Sequence, residues 1–324
     1  MRYRELGRTG LVCSVIGMGC GESIARLAGG ADTKVAKRLI NEAREQGISF
    51  FDTADIYAAG DSERILGQAL GPNRKNVIVA TKAGHRYREP NPIERTFKRY
   101  ARRIKHIIRT RSPARGAEAS GGTGRPRQSD KLGALSDYSP KYIEACIVKS
   151  LRRLGTDYID IFQLHSPRPD IAEEVELCEY LKALRDKGYF RFLGVSCYQP
   201  EHADAFTRMT GIGSVQLAFN PRKARAANSG IASCQAANIG VIARQPVDHG
   251  RIFQNGDIKS KYRSGFETGD FASVLMRFAA HRDGVCTVLC GMGTMEHLRS
   301  NIEASSAPPL DKDESDWLLT IYSA

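Results

Sequence analysis

Apolar positions along the 324 residues fall into two alternating patterns. Short apolar runs rich in β-branched and aromatic residues recur at 14–17, 49–51, 77–80, 158–164, 192–195, 215–217, 240–243 and 286–289. Between them, apolar residues return every three or four positions over 33–46, 62–70, 139–154, 172–186, 200–209, 230–237, 270–280 and 295–305. The first pattern predicts strands and the second amphipathic helices. Strict alternation of the two predicts a parallel sheet covered by helices. Eight repeats in a chain of this length predict closure into a (β/α)8 barrel of the α/β class, a single domain over 1–324.

Local signals place the element ends. Asp32-Thr33 precedes the stripe Val35, Leu39, Ile40 and Ala43, and Gly47 follows in a position suited to positive φ. Ser139-Pro140 opens a helix with a capping residue and a first-turn proline. Tyr142, Ile143, Cys146, Ile147, Ser150, Leu151 and Leu154 form its expected buried stripe, and Gly188 ends the helix after it.

One stretch breaks the rhythm. No strand is predicted from 84 to 138, although most connections in such folds take only a few residues. This stretch also carries the charge. Between 86 and 137 stand fourteen basic and five acidic residues, nine units of the chain's net +12. It reads as an insertion, about 86–137, after the third strand. Its first part places Ile93, Phe97, Tyr100, Ile104, Ile107 and Ile108 at helical spacing among Arg and Lys. Its second part is rich in Gly, Ser, Pro and Ala, a flexible-loop composition.

A nucleic-acid binder would spread basic residues over its main elements and pair them with stacking aromatics, and neither is found here. The plainest reading of the insertion is a solvated excursion. A lid or a surface for an anionic partner is the favoured sharper one, the lid drawing in an anionic substrate such as a phosphorylated or nucleotide-linked sugar, or one tethered to an acidic carrier. A third reading lays the basic segment 86–131 on an anionic membrane surface. No apolar run is long enough to predict a membrane span. The first residues carry no secretory pattern, so a cytoplasmic location is expected. Eight scattered cysteines without a C-x-x-C pair predict reduced thiols and no metal site.

Catalytic groups of a parallel barrel lie at the C-terminal ends of its strands. Polar residues there include Asp52 and Tyr57, Thr81 and Lys82, His165, Ser196 and Cys197, then Gln216 and Asn220. Taken singly, each has a plainer reading as a cap, a surface cation, a core imidazole or rim packing. Together they supply what carbonyl reduction needs beside a hydride donor. A phenol gives a proton to the carbonyl oxygen, and a nearby ammonium favours the phenolate left behind. A carboxylate holds that ammonium, and an imidazole N–H steadies charge on the oxygen. Tyr57, Lys82, Asp52 and His165 fill those four places.

At these residues the chain resembles the aldo-keto reductases, over nearly its full length. The similar segments are FDTADIY, SERILG, VIVATK, DYIDIFQLHSP, FLGVS and GMGTMEHLRSN. The resemblance implies a (β/α)8 barrel with an N-terminal β-hairpin and an extended nicotinamide cofactor, NADPH with NADH as the alternative. It implies that Tyr57 is the general acid, that Lys82 and Asp52 tune it, and that His165 orients a small carbonyl substrate. Ser196 and Gln216 match contacts to the nicotinamide carboxamide, Gly291 to Thr294 the adenosine-phosphate loop, and Asn301 an adenine contact. Cys197, Arg244, Gln245, Gly293 and His297 complete the expected cofactor set with departures. Cys197 stands where the family usually has Asn, and Arg244 where an aromatic residue usually stacks on nicotinamide. Gly293 stands where NADPH-dependent members often carry Arg, and His297 departs from a commonly basic or glutamine position. Two alternatives stay open: a cofactor-binding regulatory subunit like the potassium-channel β-subunits, and an epimerase or dehydratase that uses hydride transiently.

Overall fold

The computed structural model describes residues 1–21, 24, 27, 32–91, 93, 94, 136–253 and 268–322. Residues 92 and 95–135 lie outside the described residues. The expected basic helix, flexible loop, lid and membrane surface therefore fall almost wholly outside them, as does most of the loop after Arg244.

Eight parallel strands close a barrel: β3 (Ile16–Gly19), β4 (Phe50–Asp52), β5 (Ile78–Ala83), β6 (Ile159–His165), β7 (Phe190–Ser196), β8 (Ile212–Ala218), β9 (Gly240–Arg244) and β10 (Val285–Gly291). They neighbour one another in chain order, and β10 pairs with β3 to complete the ring. Helices α1 (Asp32–Glu45), α2 (Asp61–Leu70), α3 (Pro140–Leu154), α4 (Val175–Asp186), α5 (Ala203–Phe206), α6 (Ala224–Ala236), α7 (Thr268–Ala280) and α8 (Met295–Ser306) follow the strands in turn. A last helix, α9 (Lys312–Tyr322), packs Leu318 with Phe271, Val274 and Leu275 of α7. No described helix is long and apolar enough to cross a membrane.

The hairpin β1 (Tyr3–Glu5) and β2 (Val12–Ser14) precedes the barrel and pairs antiparallel. Its Leu6, Leu11 and Cys13 join Phe50, Ile78, Ala80, Ile161, Ile242 and Leu289 in one buried cluster, which plugs the N-terminal end of the barrel. Gly240 makes this plug possible. A Cβ there would come within 2.5 Å of the Leu6 side chain, so any other residue would push the hairpin out. The larger core lies between the strands and the helices, where Phe162, Leu164, Val195 and Leu217 meet Ile143, Ile147, Leu181 and Phe206. Burying one such side chain stabilises by about 1.5–3 kcal/mol.

Several expected boundaries shift. The strand expected at 14–17 is two elements, because Ser14 ends the hairpin and Ile16 begins the barrel. The strand expected at 77–80 runs on to Ala83, since Thr81 and Lys82 still pair with Phe162 and Gln163 of β6. The 200–209 helix shrinks to a 3-10 turn at Pro200–His202 and the four residues of α5. The helix expected at 230–237 begins six residues earlier, at Ala224. Ser139 takes the N-cap position of α3, but its hydroxyl makes no capping bond, and Asp137 accepts its N–H instead. The predicted stripe of α3 is buried at Ile143, Cys146, Ile147, Ser150 and Leu154, joined by Arg153. All eight cysteines are unpaired, and among the described residues no cluster could hold a metal ion.

Candidate active site

The four expected catalytic side chains meet at the C-terminal mouth of the barrel. Strand alternation sends Ile161, Gln163 and His165 of β6 inward, while Phe162 and Leu164 face the helices. Asp52 ends β4, and Lys82 stands near the end of β5. Lys82 is only 1% exposed, so its ammonium needs partners. It has two: Asp52 Oδ1 at 2.5 Å and the carbonyl of Thr53 at 2.8 Å. The same ammonium lies 5.3 Å from the centre of the Tyr57 ring. Tyr57 and His165 meet edge to face, with ring centres 5.9 Å apart.

His165 is electrically neutral. Burial, with Lys82, His85 and Arg244 nearby, holds its pKa well below the usual imidazole range. Its Nδ1 is enclosed without a hydrogen-bond partner, although the residue itself is half-buried. A neutral ring carries one N–H. A proton on Nε2 would make that nitrogen a donor to a ligand in the mouth.

The backbone is bent around these groups. Ala58 and Ala59 after Tyr57, Ser166 after His165, and Gln245 after Arg244 all have φ between 49° and 61°. Left-handed non-glycine residues are costly, and they gather where a site must be held in one shape.

Asp52 collects a further set of bonds. Its Oδ2 accepts Gln216 Nε2 at 3.0 Å and Gln163 Nε2 at 3.2 Å, and Ser196 Oγ donates to Gln216 Oε1 at 2.9 Å. Two of the expected cofactor residues are thus wired to the expected catalytic carboxylate. Gln163 escaped the sequence reading. Its signal was the alternation of β6, which puts a glutamine two residues before His165 on the inward face. Gly194, its register partner on β7, leaves the room: a Cβ there would come within 3.0 Å of Gln163 Cγ. Gln163→Leu keeps the bulk and removes the donor. Turnover should fall about tenfold and stability by about 1.5–3 kcal/mol, the effect of one lost hydrogen bond to a charged group. A variant with full turnover would show that Gln216 alone holds Asp52.

Asp55 was also missed as a special residue. It is 1% exposed, and its nearest polar partners are only the Ile56 backbone and the Cys146 thiol. Burial, and then the nearby Glu63 carboxylate, push its pKa up to about 8. Glu63 itself is matched by Arg153, at 2.5 Å, and by the Thr81 hydroxyl. The folded state keeps the Asp55 proton that the unfolded chain releases near pH 4. Stability therefore declines as pH rises from about 4 to about 8. Asp55→Asn removes this penalty, so the variant should gain melting temperature at pH 8 and little at pH 4. An equal gain at both would mean that the carboxyl is not protonated in the native state.

The remaining expected residues divide by place. The Cys197 side chain is fully buried in the core, and burial raises its thiol pKa, so only its main chain faces the mouth. The Cys197 and Tyr198 carbonyls accept Arg244 Nη2 at 2.8 and 3.3 Å. Asn220 donates to the carbonyl of Gln245 at 2.9 Å, which fixes the turn after β9. At the end of β10, Gly291 is exposed and open, and Thr294 caps α8 through a bond from the His297 N–H at 3.1 Å. Gly293, His297 and Asn301 stand around this helix start. His85, not singled out from sequence, lies 4.7 Å from the His165 ring. It also forms a β-bridge with Ser136, so the two ends of the insertion meet beside the mouth.

A sequence model of the Aldo/keto reductase family matches residues 16–321. The "Uncharacterized oxidoreductase YqkF" of Bacillus subtilis (strain 168) is 27% identical, covering 97% of this chain and 94% of that protein. The "Aldo-keto reductase YhdN" of the same organism is 30% identical over 68% of this chain and 54% of its own length. Among solved structures, the holo form of aldo-keto reductase AKR11C1 from Bacillus halodurans has a similar fold. It superposes with a TM-score of 0.73 at 24% identity, covering 99% of this chain and 96% of that one.

Proposed function

Because the chain belongs to the aldo/keto reductase family, we propose that this NAD(P)H-dependent oxidoreductase converts a small aldehyde or ketone to an alcohol with Tyr57 as its proton donor. One observation carries the assignment: the Lys82 ammonium sits between the Asp52 carboxylate and the Tyr57 ring, with His165 edge-on to that ring.

Bound reduced nicotinamide supplies the hydride. The chain does the rest. His165 Nε2–H donates to the carbonyl oxygen and polarises the carbon. Tyr57 gives its hydroxyl proton to the same oxygen as negative charge grows there. Lys82 stabilises the phenolate that remains, and Asp52 keeps Lys82 in place without leaving a buried charge unmatched. Water returns the proton to Tyr57, which is half-exposed.

The mouth fits a nicotinamide coenzyme. Ser196 and Gln216 hold one another through a donor and an acceptor, the two partners a carboxamide needs. The uncovered start of α8 presents backbone N–H groups and the helix dipole to a phosphate. Gly291, Gly293, Thr294, His297 and Asn301 would hold the adenosine end. Arg244, anchored by two carbonyls, would lie flat against the nicotinamide, with Gln245 fixing the turn behind it. NADPH is the coenzyme we propose, with NADH as its competitor in the assay.

The test is direct. Purified protein mixed with NADPH and a generic aromatic aldehyde should oxidise the coenzyme only when aldehyde is present. Deuterium from labelled coenzyme should appear on the carbinol carbon of the product. Coenzyme binding without turnover across a panel of aldehydes and ketones would instead make this a binding protein on an enzyme fold.

A further inference from the structure

We propose that Arg244 makes the mouth select the reduced coenzyme over the oxidised one. The proposal rests on the coenzyme reading above and adds a preference between the two oxidation states to it.

The placement follows from the sheet. Arg244 is the last residue of β9, two past Ile242, which faces the barrel interior and pairs with Gln216. The same inward side of the strand therefore brings Arg244 up to the mouth. Its guanidinium then crosses the end of β8 to the carbonyls of Cys197 and Tyr198, next to Ser196. The side chain is thus tied down over the two residues that would receive the carboxamide.

Among the described residues its charge has no counter-ion. Asp52 is taken by Lys82, and Asp248 by Arg222 and Arg251. No described carboxylate lies within salt-bridge distance of Arg244, and its Nε–H is enclosed without an acceptor. Burial lowers its pKa from the ordinary arginine value, against the opposing pull of Tyr57, Cys197 and Asp52 nearby. A guanidinium still stays protonated at any working pH.

A fixed, weakly solvated cation distinguishes the two oxidation states. The reduced ring is neutral and electron-rich, and a flat guanidinium is attracted to its face. The oxidised ring carries a full positive charge, and two like charges a few ångströms apart at a partly buried site repel strongly. An aromatic residue at this position would act in the opposite sense, because its face attracts the cationic ring. The exchange of an aromatic residue for Arg therefore reverses the electrostatic preference while keeping a flat stacking surface. Loss of the hydride leaves the coenzyme cationic beside Arg244, which favours its release and exchange for the reduced form.

Dissociation constants of NADP⁺ and NADPH, measured by calorimetry without any substrate, test this. The wild type should bind NADPH more tightly. In Arg244→Gln and in Arg244→Tyr the ratio of the two constants should shift toward NADP⁺ by roughly tenfold or more. Arg244→Lys, which keeps the charge, should retain most of the preference. Equal weakening of both forms would overturn the proposal, because the charge would then serve the phosphates common to both. An unchanged ratio would overturn it as well. Wild-type protein that binds neither form would remove the coenzyme reading itself, and this proposal with it. Circular dichroism of each variant, matched to wild type, separates these outcomes from loss of fold.

Discussion

Tyr57→Phe should lower turnover by about 10²–10⁴-fold, the usual worth of a positioned general acid. Affinity for the coenzyme should be unchanged. The ring stays, so its edge-to-face contact with His165 and its place near Lys82 stay as well. Only the hydroxyl is lost, and with it the proton for the carbonyl oxygen. Single-turnover mixing should show the loss in the chemical step, with coenzyme titration giving the wild-type constant. Full turnover in this variant would mean that water or His165 delivers the proton, and the role of Tyr57 would be lost.

Lys82→Met should be the most damaging change to stability near the site. Lys82 and Asp52 are 1% and 4% exposed, and each satisfies the other. Removing one partner of a buried pair strands the other, typically at about 3–5 kcal/mol. Gln163 and Gln216 would still donate to Asp52 Oδ2, but they carry no charge to offset the carboxylate. Turnover should fall with stability, since the ammonium 5.3 Å from the Tyr57 ring is lost. Asp52→Asn in the Lys82→Met background removes the stranded charge. The double variant should recover part of the stability and none of the turnover. Chemical denaturation of wild type, Lys82→Met, Asp52→Asn and the double variant gives the cycle. A Lys82→Met protein as stable as wild type would show that the Asp52 charge is offset elsewhere.

The two experiments probe a site that was legible in the chain to different depths. Asp52, Tyr57, Lys82 and His165 could be read together because each follows an apolar run, and the ends of parallel strands share one face. Gln163 could have been found by counting back two residues from His165, but it sat inside a run read as a whole strand. Asp55 gave no local sign, since its raised pKa comes from burial and from Glu63 across the fold. Arg244 was legible as a departure from the common aromatic residue. The carbonyls that tie it down were not, because they come from another strand's loop.

The eight alternating apolar patterns by themselves determined the (β/α)8 barrel. Periodicity is local, and parallel strands joined by helices have few ways to pack. The sequence also determined which four residues share the mouth, through their places at strand ends. Only the tertiary structure decided what each group is paired with. It enclosed the His165 Nδ1 without a partner, placed the Cys197 side chain in the core, joined Ser196, Gln216 and Gln163 to Asp52, and left Arg244 without a counter-ion among the described residues. These properties depend on distance and solvent exclusion between residues far apart in the chain, and composition and spacing do not contain them.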